Sequence, residues 1–572
     1  MKLIITEKPS VALDIAKVLN IRGKKKSYYE GNSYIITWCA GHLLTLAEPH
    51  IYDARFKKWH ASNLPIIPPK FKYKVSDGKE ELVSVIKTLL AREDVTEIIN
   101  ACDAGREGEL IFGEIYNNTK HKKPVKRLWI SSLESSAIKK GFENLREGKN
   151  YENLYEAAFC RQKADWIVGI NGTRLFTNLY STYEKGVLNV GRVVTPTLAL
   201  IVERQKSIEN FIKEPLYSIE LINEDPLFKA FYIDRKMKDK NKALEILKSC
   251  TGNKAVVIDV SKSKKSEKPP QLFDLTTLQR FCNQRFKYTA DRTLGIAQKL
   301  YEKKLLTYPR TDSRFLSSDM EKTANELLTL LNATNINIKQ VINNKKVTDH
   351  HAIIPTKNGT KENIQIPEEE RNILEAVKIR FIASVSPKFE YEETVISLEC
   401  NNNKFTATGK GIVKMGFKEI EPDNGKEVFL PNFKKGDILE NPDFELKEGE
   451  TTPPKPYTEN TLLATMENVN KADFDSDVER KGIGTPATRA SIIEKLVKGS
   501  FIKREKNNLI ATEKGVNTVL VLPESIKSPL LTAEWENSLK RVEKGELLPD
   551  DFMVSISSFI IDIIKENKFK SR

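Results

Sequence analysis

Residues 2–10 read Lys-Leu-Ile-Ile-Thr-Glu-Lys-Pro-Ser, and residues 97–108 read Glu-Ile-Ile-Asn-Ala-Cys-Asp-Ala-Gly-Arg-Glu-Gly. Each stretch begins with a short apolar run that predicts a buried β-strand. Carboxylates follow both strands directly, as Glu7 in the first and as Asp103 and Glu107 in the second. Because ligands bind at the carboxyl edge of an open α/β sheet, these three side chains are predicted to share one site.

Each predicted strand is followed by a segment that predicts a helix. In the first, Ser10 is the expected N-cap. The apolar residues then recur at helical spacing, as Val11, Ile15, Val18 and Leu19. In the second, the helix is expected to begin near Glu109. The alternation of strand, acidic turn and helix indicates an α/β domain at the N-terminus.

The remainder of the chain predicts helical and β-rich segments in turn. Residues 151–213 have a helical pattern, whereas alternating residues from 214 to 268, and again near 392–408, predict β-strands. Proline clusters at 269–270 and 453–456 are typical of hinges or linkers. At 572 residues the chain is long enough for about three to five domains.

A weak internal repeat relates two segments at a constant offset of 196 residues. The matching pairs are Thr289 and Thr485, Ile296 and Ile492, Lys299 and Lys495, Leu300 and Leu496, and Leu305-Leu306 and Phe501-Ile502. Each copy predicts a helix followed by a strand, which is the outline of a winged-helix unit and also a generic packing pattern. The second copy has Arg504 where the first has Tyr308.

The composition favours a polyanionic partner and excludes several classes of site. The chain has 92 basic and 78 acidic residues, a net charge of +14, and such an excess promotes nucleic-acid binding through counterion release. Its six cysteines are scattered singly, so no C-x-x-C zinc or redox pair exists. No apolar run approaches the roughly 18 residues of a membrane span, and no signal peptide is evident, so we expect a cytoplasmic protein.

Residues 305–313 read Leu-Leu-Thr-Tyr-Pro-Arg-Thr-Asp-Ser and place three chemically useful side chains after an apolar pair. Proline after Tyr308 favours extended backbone, so Tyr308 and Arg310 should point to the same side. The planar arginine fork can hold two phosphate oxygens, and the phenol can act as a nucleophile toward the phosphorus. From spacing alone, a surface tyrosine beside an arginine is the commoner arrangement.

A tyrosine attacking a phosphodiester needs help, because its ordinary pKa is near 10. Arg310 and Lys8 can supply positive charge, and Glu7 can protonate the departing sugar oxygen. Asp103 and Glu107 can hold Mg²⁺, a hard cation that takes oxygen ligands. The competing interpretation of the two acids is a solvated turn.

Seven motifs, in this order along nearly the whole chain, resemble those of the type IA DNA topoisomerases, with bacterial DNA topoisomerase III as the most similar branch. They are 7–10 (Glu-Lys-Pro-Ser), 103–110 (Asp-Ala-Gly-Arg-Glu-Gly-Glu-Leu), 164–171 (Ala-Asp-Trp-Ile-Val-Gly-Ile-Asn), 191–197 (Gly-Arg-Val-Val-Thr-Pro-Thr), 307–313 (Thr-Tyr-Pro-Arg-Thr-Asp-Ser), 349–356 (Asp-His-His-Ala-Ile-Ile-Pro-Thr) and 484–489 (Gly-Thr-Pro-Ala-Thr-Arg).

The resemblance implies a multi-domain fold of α/β and α+β parts that together enclose a hole for DNA. The implied domains are a Toprim domain at 1–150, a discontinuous winged-helix-like DNA-binding domain at 151–213 and 455–572, a discontinuous β-rich arch at 214–275 and 375–454, and a winged-helix-like domain with the catalytic tyrosine at 276–374. The arch closes the other domains into a toroid.

The same resemblance implies roles for individual residues. Tyr308 would take the 5′-phosphate, Glu7 would act as acid or base at the leaving 3′-oxygen, and Lys8 and Arg310 would stabilise the phosphate. His350 matches a histidine near the active site. The residues expected to contact DNA are His60, Arg161, Asp165, Asn171, Arg174, Arg192 and Asp312. Glu7, Asp103 and Glu107 are the expected ligands of Mg²⁺.

Two departures from the family pattern bear on these expectations. Gly105 stands where the general Toprim pattern Asp-x-Asp-x-Glu has its second aspartate, so one expected magnesium ligand is missing and binding of a single, well-hydrated ion is expected. No cysteine follows Cys400, so we expect neither the cysteine-rich zinc modules of many relatives nor the accessory single-strand binding that they provide.

The expected activity is ATP-independent cleavage, strand passage and religation of DNA, which relaxes negative supercoils and decatenates. The sequence contains no G-x-x-x-x-G-K-[ST] phosphate loop. Single-stranded or negatively supercoiled DNA is the expected substrate, a helicase is a candidate partner, and a monomer with no membrane association is expected. The alternatives are a Toprim nuclease or primase, which leaves the Tyr308 cluster unexplained, and a single-strand-binding scaffold that has lost catalysis.

Overall fold

The structure is a computed structural model that describes residues 1–120, 122–130, 133, 135–180, 186–347, 350–423, 425, 427–469 and 482–568. Asp349, the first residue of one family-like motif, lies outside these residues. Among the helices described, none combines the length and the apolar character needed to cross a membrane.

The N-terminal region is built on a seven-stranded sheet with strand order β2-β3-β4-β1-β7-β8-β9. Its strands are β1 (Lys2–Thr6), β2 (Gly23–Lys24), β3 (Tyr28–Gly31), β4 (Tyr34–Trp38), β7 (Glu97–Ala101), β8 (Val125–Arg127) and β9 (Arg146–Glu147), and a separate pair is β5 (Leu44–Leu46) and β6 (Tyr73–Val75). The helices are α1 (Pro9–Val18), α2 (Glu80–Ala91), α3 (Arg106–Asn117) and α4 (Ser135–Glu143).

Strand β1 lies at the centre of this sheet, parallel to β4 on one side and to β7 on the other. Thr6 at its end is paired with Trp38 and with Ala101, the last residues of those two strands. The segments after Thr6, Trp38 and Ala101 therefore emerge together at one edge. The two predicted strands are confirmed, and their carboxylates do share this edge.

Both predicted helix starts were wrong. Helix α1 begins at Pro9 with Lys8 as N-cap, not at Ser10, because proline at the first helical position has the helical φ already and has no N–H to satisfy. Helix α3 begins at Arg106, three residues before Glu109. It comes so close to the preceding turn that a Cβ at Gly108 would lie 2.0 Å from the Asp103 carbonyl oxygen, so only glycine fits there.

A second hydrophobic core unites residues 151–213 with the C-terminal segment. The long helices α5 (Glu152–Tyr180) and α6 (Val194–Glu209) pack on the C-terminal elements, and Leu175 and Leu539 are both fully buried there. Those elements are β17 (Tyr457–Thr458), α12 (Glu459–Asn468), α13 (Pro486–Lys498), β18 (Ile502–Glu505), β19 (Asn508–Ala511), α14 (Glu513–Val521), α15 (Glu524–Lys527), α16 (Leu530–Glu543) and α17 (Pro549–Lys568).

The β-rich segments form one sheet, with strand order β15-β12-β13-β14-β11-β10-β16. Its elements are β10 (Pro215–Asn223), β11 (Phe228–Tyr232), α7 (Lys240–Cys250), β12 (Ala255–Glu267), β13 (Phe389–Cys400), β14 (Asn403–Lys414), β15 (Ile438–Leu439) and β16 (Asp443–Glu450). Helix α7 covers its buried face through Ala243 and Ile246. The two β predictions therefore describe halves of a single sheet.

The segment between the two halves of that sheet is helical. It contains α8 (Leu275–Phe286), α9 (Ala290–Glu302), α10 (Glu321–Leu330) and α11 (Glu368–Val385). The expected strand at Leu305-Leu306 is replaced by a single bridge between Leu306 and Pro355. Helix α11 spans residue 375, where one domain boundary was placed, and its Phe381 and Val385 pack with the core of this helical segment.

Both copies of the repeat begin with a helix, as expected. Helix α9 has Thr289 as N-cap, whose side chain accepts a hydrogen bond from the Arg292 N–H, and α13 has Thr485 as N-cap. The second copy continues into the true strand β18, and the first does not.

Candidate active site

A cavity of about 1050 Å³ lies where the edge of the N-terminal sheet meets the tyrosine segment. Residues from four separate parts of the chain line it: Glu7, Gly41, His42, Asp103, Glu107, Gly108, Ile111, Arg161, Tyr308, Arg310, Thr311, Asp312, His350, Thr485, Pro486 and Thr488. We call it the catalytic cavity. It contains the predicted nucleophile, all three predicted metal ligands and Arg310, the arginine predicted to hold the phosphate.

Lys8 connects the two carboxylates at the edge of the sheet. Its ammonium lies 2.6 Å from Oδ2 of Asp103 and 3.0 Å from Oε1 of Glu7. Burial lowers the pKa of Lys8, but the neighbouring charges of Asp103, Tyr308 and Glu7 outweigh burial and raise it well above its ordinary value. Lys8 is therefore a permanent cation at the centre of the site.

Tyr308 is held against this cation. The Lys8 ammonium lies 3.9 Å from the centroid of the Tyr308 ring, which places it within cation–π range, and the His350 ring lies 4.5 Å away. His350 Nε2 also lies 3.3 Å from Oδ2 of Asp103. The tyrosine and the N-terminal acids are thus joined through two basic side chains, although they are about 200 residues apart in the sequence.

Burial sets the protonation of the reacting groups. It raises the pKa of Tyr308 to about 12, even though Lys8 lowers that pKa. Burial and the negative charge of Asp103 raise the pKa of Glu7. Burial acts to raise the pKa of Asp103, but Lys8 and His350 lower it by a larger amount, so the pKa of Asp103 lies below its ordinary value. Because the pKa of Glu7 is raised and that of Asp103 is lowered, Glu7 can act as a proton donor whereas Asp103 stays an anion.

Glu107 is held by a histidine that the sequence analysis did not single out. His42 Nε2 lies 2.7 Å from Glu107, and its Nδ1 lies 2.8 Å from the buried Glu114. Burial lowers the pKa of His42, but the hydrogen bonds with these two carboxylates raise it to about 10. Gln162 of α5 donates to the other Glu114 oxygen at 2.6 Å, which ties this arrangement to the second core.

The acids of the catalytic cavity fit a metal ion that keeps much of its water. Glu7, Asp103 and Glu107 line one cavity, and the Glu107 side chain is 55% exposed. However, no three acidic, histidine or cysteine side chains form a compact ligand cluster within the described part of the chain. This donor set suits Mg²⁺, which is commonly bound through one or two carboxylates and several waters.

The other end of the catalytic cavity is basic and open. Arg310 is exposed, and Arg161, Asp312 and Thr488 line the same space. Arg161 lies 3.9 Å from Glu536. The predicted common orientation of Tyr308 and Arg310 agrees with their shared cavity.

Arg192 and Asp165 lie beside this end but are paired with each other. Arg192 is 3% exposed, and its guanidinium lies 3.0 Å from Asp165 and 3.2 Å from Glu536. Glu536 also lies 3.0 Å from Arg106, which belongs to the motif that contains Asp103. Together with Arg192, these ion pairs join α3 of the N-terminal region to α5 and α16.

Asn171 and Arg174, two predicted DNA contacts, face the protein interior. Asn171 is fully buried, and its amide bonds both the N–H and the carbonyl of Ile66, so the structure leaves it no group for DNA. Arg174 is 7% exposed and donates to the Phe56 carbonyl at 2.8 Å. His60 is exposed but lies outside the catalytic cavity.

Arg127 is a further residue whose importance the sequence analysis missed. It is fully buried beside Glu109, and its guanidinium donates to the carbonyl oxygens of Cys102 and Asp103, both at 2.7 Å. It thereby fixes the turn that presents Asp103. His42 had a detectable signal, since Gly41-His42 follows an apolar strand-like run as Glu7 and Asp103 do, whereas Arg127 had none.

Comparison with known families identifies both parts of the chain. Residues 2–133 match the Toprim domain, and residues 149–554 match the family described as DNA topoisomerase. Among curated relatives, DNA topoisomerase 3 of Bacillus cereus is 40% identical over 599 residues, which cover 99% of this chain and 81% of the relative. DNA topoisomerase 3 of Bacillus subtilis is 39% identical over 603 residues, covering 100% and 82%.

The fold also has a solved counterpart. The structure of full-length topoisomerase I from Thermotoga maritima superimposes with a TM-score of 0.74 at 24% sequence identity, covering 98% of this chain and 90% of that one. The expected fold class is confirmed.

Proposed function

Because this chain belongs to the type IA DNA topoisomerase family, we propose that Tyr308 is its nucleophile and that the catalytic cavity is where one DNA strand is cut and resealed. The chain is a type IA topoisomerase, and DNA is its substrate. The observation that carries the residue assignment is the contact of the Tyr308 ring with Lys8 and His350, both of which also contact Asp103.

The proposed reaction is a reversible transesterification. The Tyr308 hydroxyl oxygen attacks phosphorus, a new bond forms to the 5′-phosphate, and the bond from phosphorus to the 3′-oxygen breaks. Glu7, whose raised pKa keeps its proton available, gives that proton to the leaving 3′-oxygen. Religation reverses each step, with Glu7 as base. One phosphodiester bond is exchanged for another, so no ATP is consumed.

The positive side chains act on the phosphate and the phenol. Lys8 lowers the pKa of Tyr308 and thereby favours the phenolate as the hydroxyl loses its proton. Arg310, exposed on the same side of the cavity, would hold the non-bridging oxygens in its planar fork. His350 keeps the ring of Tyr308 and the carboxylate of Asp103 in a fixed relation.

Toprim domains bind metal ions, and we propose Mg²⁺ here, held by Asp103 and Glu107 with Glu7 nearby. Such an ion supplies positive charge beside the DNA backbone. With glycine at 105, the chain has two acids in the 103–107 motif rather than three. A single ion that retains several waters is the arrangement that these residues support.

The predicted contacts with DNA divide into two groups. Arg161, Arg310 and Asp312 line the catalytic cavity and are proposed to contact the strand directly. Asp165, Arg192 and Arg174 support the groove from within, and exposed His60 is retained as a more distant contact. Single-stranded or negatively supercoiled DNA remains the proposed substrate.

We also propose the four-domain division given above, which is supported by separate hydrophobic cores for the N-terminal sheet, the β-rich sheet and the tyrosine segment. We place the start of the second arch segment after Val385, where α11 ends, rather than at residue 375. A monomer, a helicase partner and a cytoplasmic location, where bacterial DNA lies, complete the proposal.

The decisive experiment is incubation with a labelled single-stranded oligonucleotide and Mg²⁺, followed by denaturation. The wild-type chain should form a covalent adduct through the 5′-phosphate, and Tyr308→Phe should form none. The control is Tyr301→Phe, which keeps a neighbouring ring and should still form the adduct. Hydrolysed product without adduct would favour a nuclease, and intact DNA with every protein would favour a binding scaffold.

A further inference from the structure

A second cavity also borders Tyr308, and neither Asp103 nor Arg310 lines it. It measures about 230 Å³, and we call it the rear cavity. Its lining includes Ser10, Tyr301, Leu306, Thr307, Tyr308 and Thr356. Tyr308 and His350 line both cavities, so their rings form the wall between them.

The two cavities differ in chemistry. The catalytic cavity is lined by four carboxylates and two arginines, which suit a phosphate and a leaving oxygen. The rear cavity is lined mainly by rings, hydroxyl groups and leucine side chains, with Asp14, Glu302 and Lys304 as its charged residues. A sugar and base fit this lining better than a second phosphate.

Tyr301 connects the rear cavity to the nucleophile. It lies near the end of α9, and its ring meets the Tyr308 ring edge-on, at a centroid distance of 5.4 Å and an angle of 70°. Ser10 of α1, on the N-terminal domain, lines the same cavity as Tyr301. Tyr308 is therefore bounded by Lys8 and His350 on the reacting side and by Tyr301 on the other.

The internal repeat gives an independent reason to couple the two tyrosines. Lys299 and Leu300 of α9 have identical counterparts in α13, but Tyr301 corresponds to Val497 and Tyr308 corresponds to Arg504. The copy without a nucleophile thus also lacks the ring that contacts it. Tyr301 is not needed to build the helix, because α13 forms without a tyrosine at this position.

We propose that the rear cavity takes the nucleoside whose 5′-phosphate becomes joined to Tyr308, and that Tyr301 is a positioning residue that orients the nucleophile and lines this nucleoside site. The inference rests on the proposed function. In that reaction the 3′-oxygen departs toward Glu7 in the catalytic cavity. The nucleoside on the other ester oxygen must leave the phosphate in a different direction, and the rear cavity is the second space bordered by Tyr308.

The placement of Tyr301 has a consequence for resealing. Tyr301 and Tyr308 belong to one helical segment and stay together when strands are separated, whereas Lys8 belongs to the N-terminal domain. A nucleoside held between them would keep the phosphotyrosine oriented until the 3′-end returns. Base stacking on an aromatic ring typically changes binding by about 5- to 100-fold, which is large enough to measure as a rate.

The test combines Tyr301→Leu with an oligonucleotide that lacks the base just 3′ of the cut. Single-turnover cleavage and religation rates are measured, together with binding of uncut DNA. Each change alone should slow both reactions about tenfold at saturating DNA, and each should also weaken the binding of uncut DNA by about fivefold or more, because the same stacking contact is lost. The two changes together should be no slower than either alone, because both remove the same contact.

Controls separate this outcome from misfolding and from failure of the proposed function. Tyr301→Phe keeps the ring and should restore most of the rate, and Tyr288→Leu removes a ring of the same segment that bonds Asn372 instead, so it should leave the rates unchanged. Multiplicative losses in the doubly changed reaction would overturn the nucleoside site. Unchanged rates for Tyr301→Leu would overturn the positioning role. A wild-type chain that forms no adduct on intact DNA overturns the proposed function itself.

Discussion

The two copies of the internal repeat, which lie 196 residues apart, both begin with a helix and differ in the segment after it. That segment contains Tyr308 in the first copy and Arg504 in the second. Helices α9 and α13 are both capped by threonine, and each is followed within three or four residues by a buried apolar pair, Leu305-Leu306 or Phe501-Ile502. In the second copy the chain continues as a regular strand, where Arg504 donates to the buried Glu459 at 2.9 Å. In the first copy it does not form a strand, and Tyr308 faces a cavity.

The surroundings of Arg504 and Tyr308 explain why the first residue is structural and the second is proposed to be reactive. Arg504 and Glu459 satisfy each other inside one domain, and Glu494 completes the ion pairs. Tyr308 has its charged partners in another domain, across a cavity that admits a ligand. Both positions contain a cation next to a carboxylate with a raised pKa, Lys8 beside Glu7 and Arg504 beside Glu459. Of these four side chains, only Glu7 lines the catalytic cavity.

The largest effect is expected from an attempt to move the nucleophile between copies. In the background of Tyr308→Phe, the change Arg504→Tyr should yield no covalent adduct at all, because neither Lys8 nor His350 lies near position 504. Denaturing gels with a labelled oligonucleotide measure this directly. An adduct mapped to position 504 would show that the fold of the repeat, rather than the neighbouring N-terminal acids, creates the reactivity.

Removal of Lys8 should produce the next largest effect. Lys8→Met removes the positive charge that lowers the pKa of Tyr308, so that pKa should rise further above about 12. Cleavage near neutral pH should fall by about 10²- to 10³-fold. Because the phenolate then forms only at still higher pH, the cleavage rate of the variant should continue to increase at pH values where the wild type levels off.

A matched control for Lys8 lies on the same helix. Lys17→Met removes an exposed lysine that pairs with Asp14 and should leave the pH profile unchanged. An equal loss in both variants, or a Lys8→Met profile parallel to that of the wild type, would contradict the electrostatic role of Lys8.

Arg504→Met should have a smaller effect, on stability rather than on chemistry. It leaves the Glu459 carboxylate, 3% exposed, without its cation. Loss of one partner of a buried pair costs roughly 3–5 kcal/mol, and because the Arg504 side chain is 26% exposed we expect about 2 kcal/mol. Denaturant unfolding measures the loss, and adduct formation by the folded fraction should be retained. The neighbouring exposed pair is tested by Lys503→Met, which should change little.

Features that depend on neighbouring residues in the chain could be predicted from the sequence. Glu7 and Asp103 follow apolar strands directly, so the topology of a parallel sheet was enough to bring them together. The helix of each repeat copy could be predicted because apolar spacing along a helix is a local property of the sequence. The extended geometry imposed by Pro309 placed Tyr308 and Arg310 on one side for the same local reason.

The remaining features depend on contacts between distant segments. Asn171 has a polar side chain typical of a ligand contact, yet the backbone of Ile66 uses it completely. Arg192 was expected in the DNA path, but its charge is matched by Asp165 and by Glu536, 344 residues further along the chain. Local periodicity contains no information about such partners. The early start of α3 was missed because Gly105 caps it without a side-chain hydrogen bond.

The bond between Arg106 and Glu536 also places a constraint on biosynthesis. Arg106 is 5% exposed, its acidic partners Glu536 and Glu543 lie on α16, and 430 residues separate it from Glu536. At about 5–20 residues per second, the ribosome needs roughly 20–90 s to synthesise that interval. The N-terminal domain therefore emerges long before the carboxylates that pair with its Arg106, and this arginine stays hydrated until the C-terminal helices have been synthesised. The N-terminal domain, which leaves the ribosome first, therefore forms these ion pairs only after the C-terminal helix α16 has been synthesised.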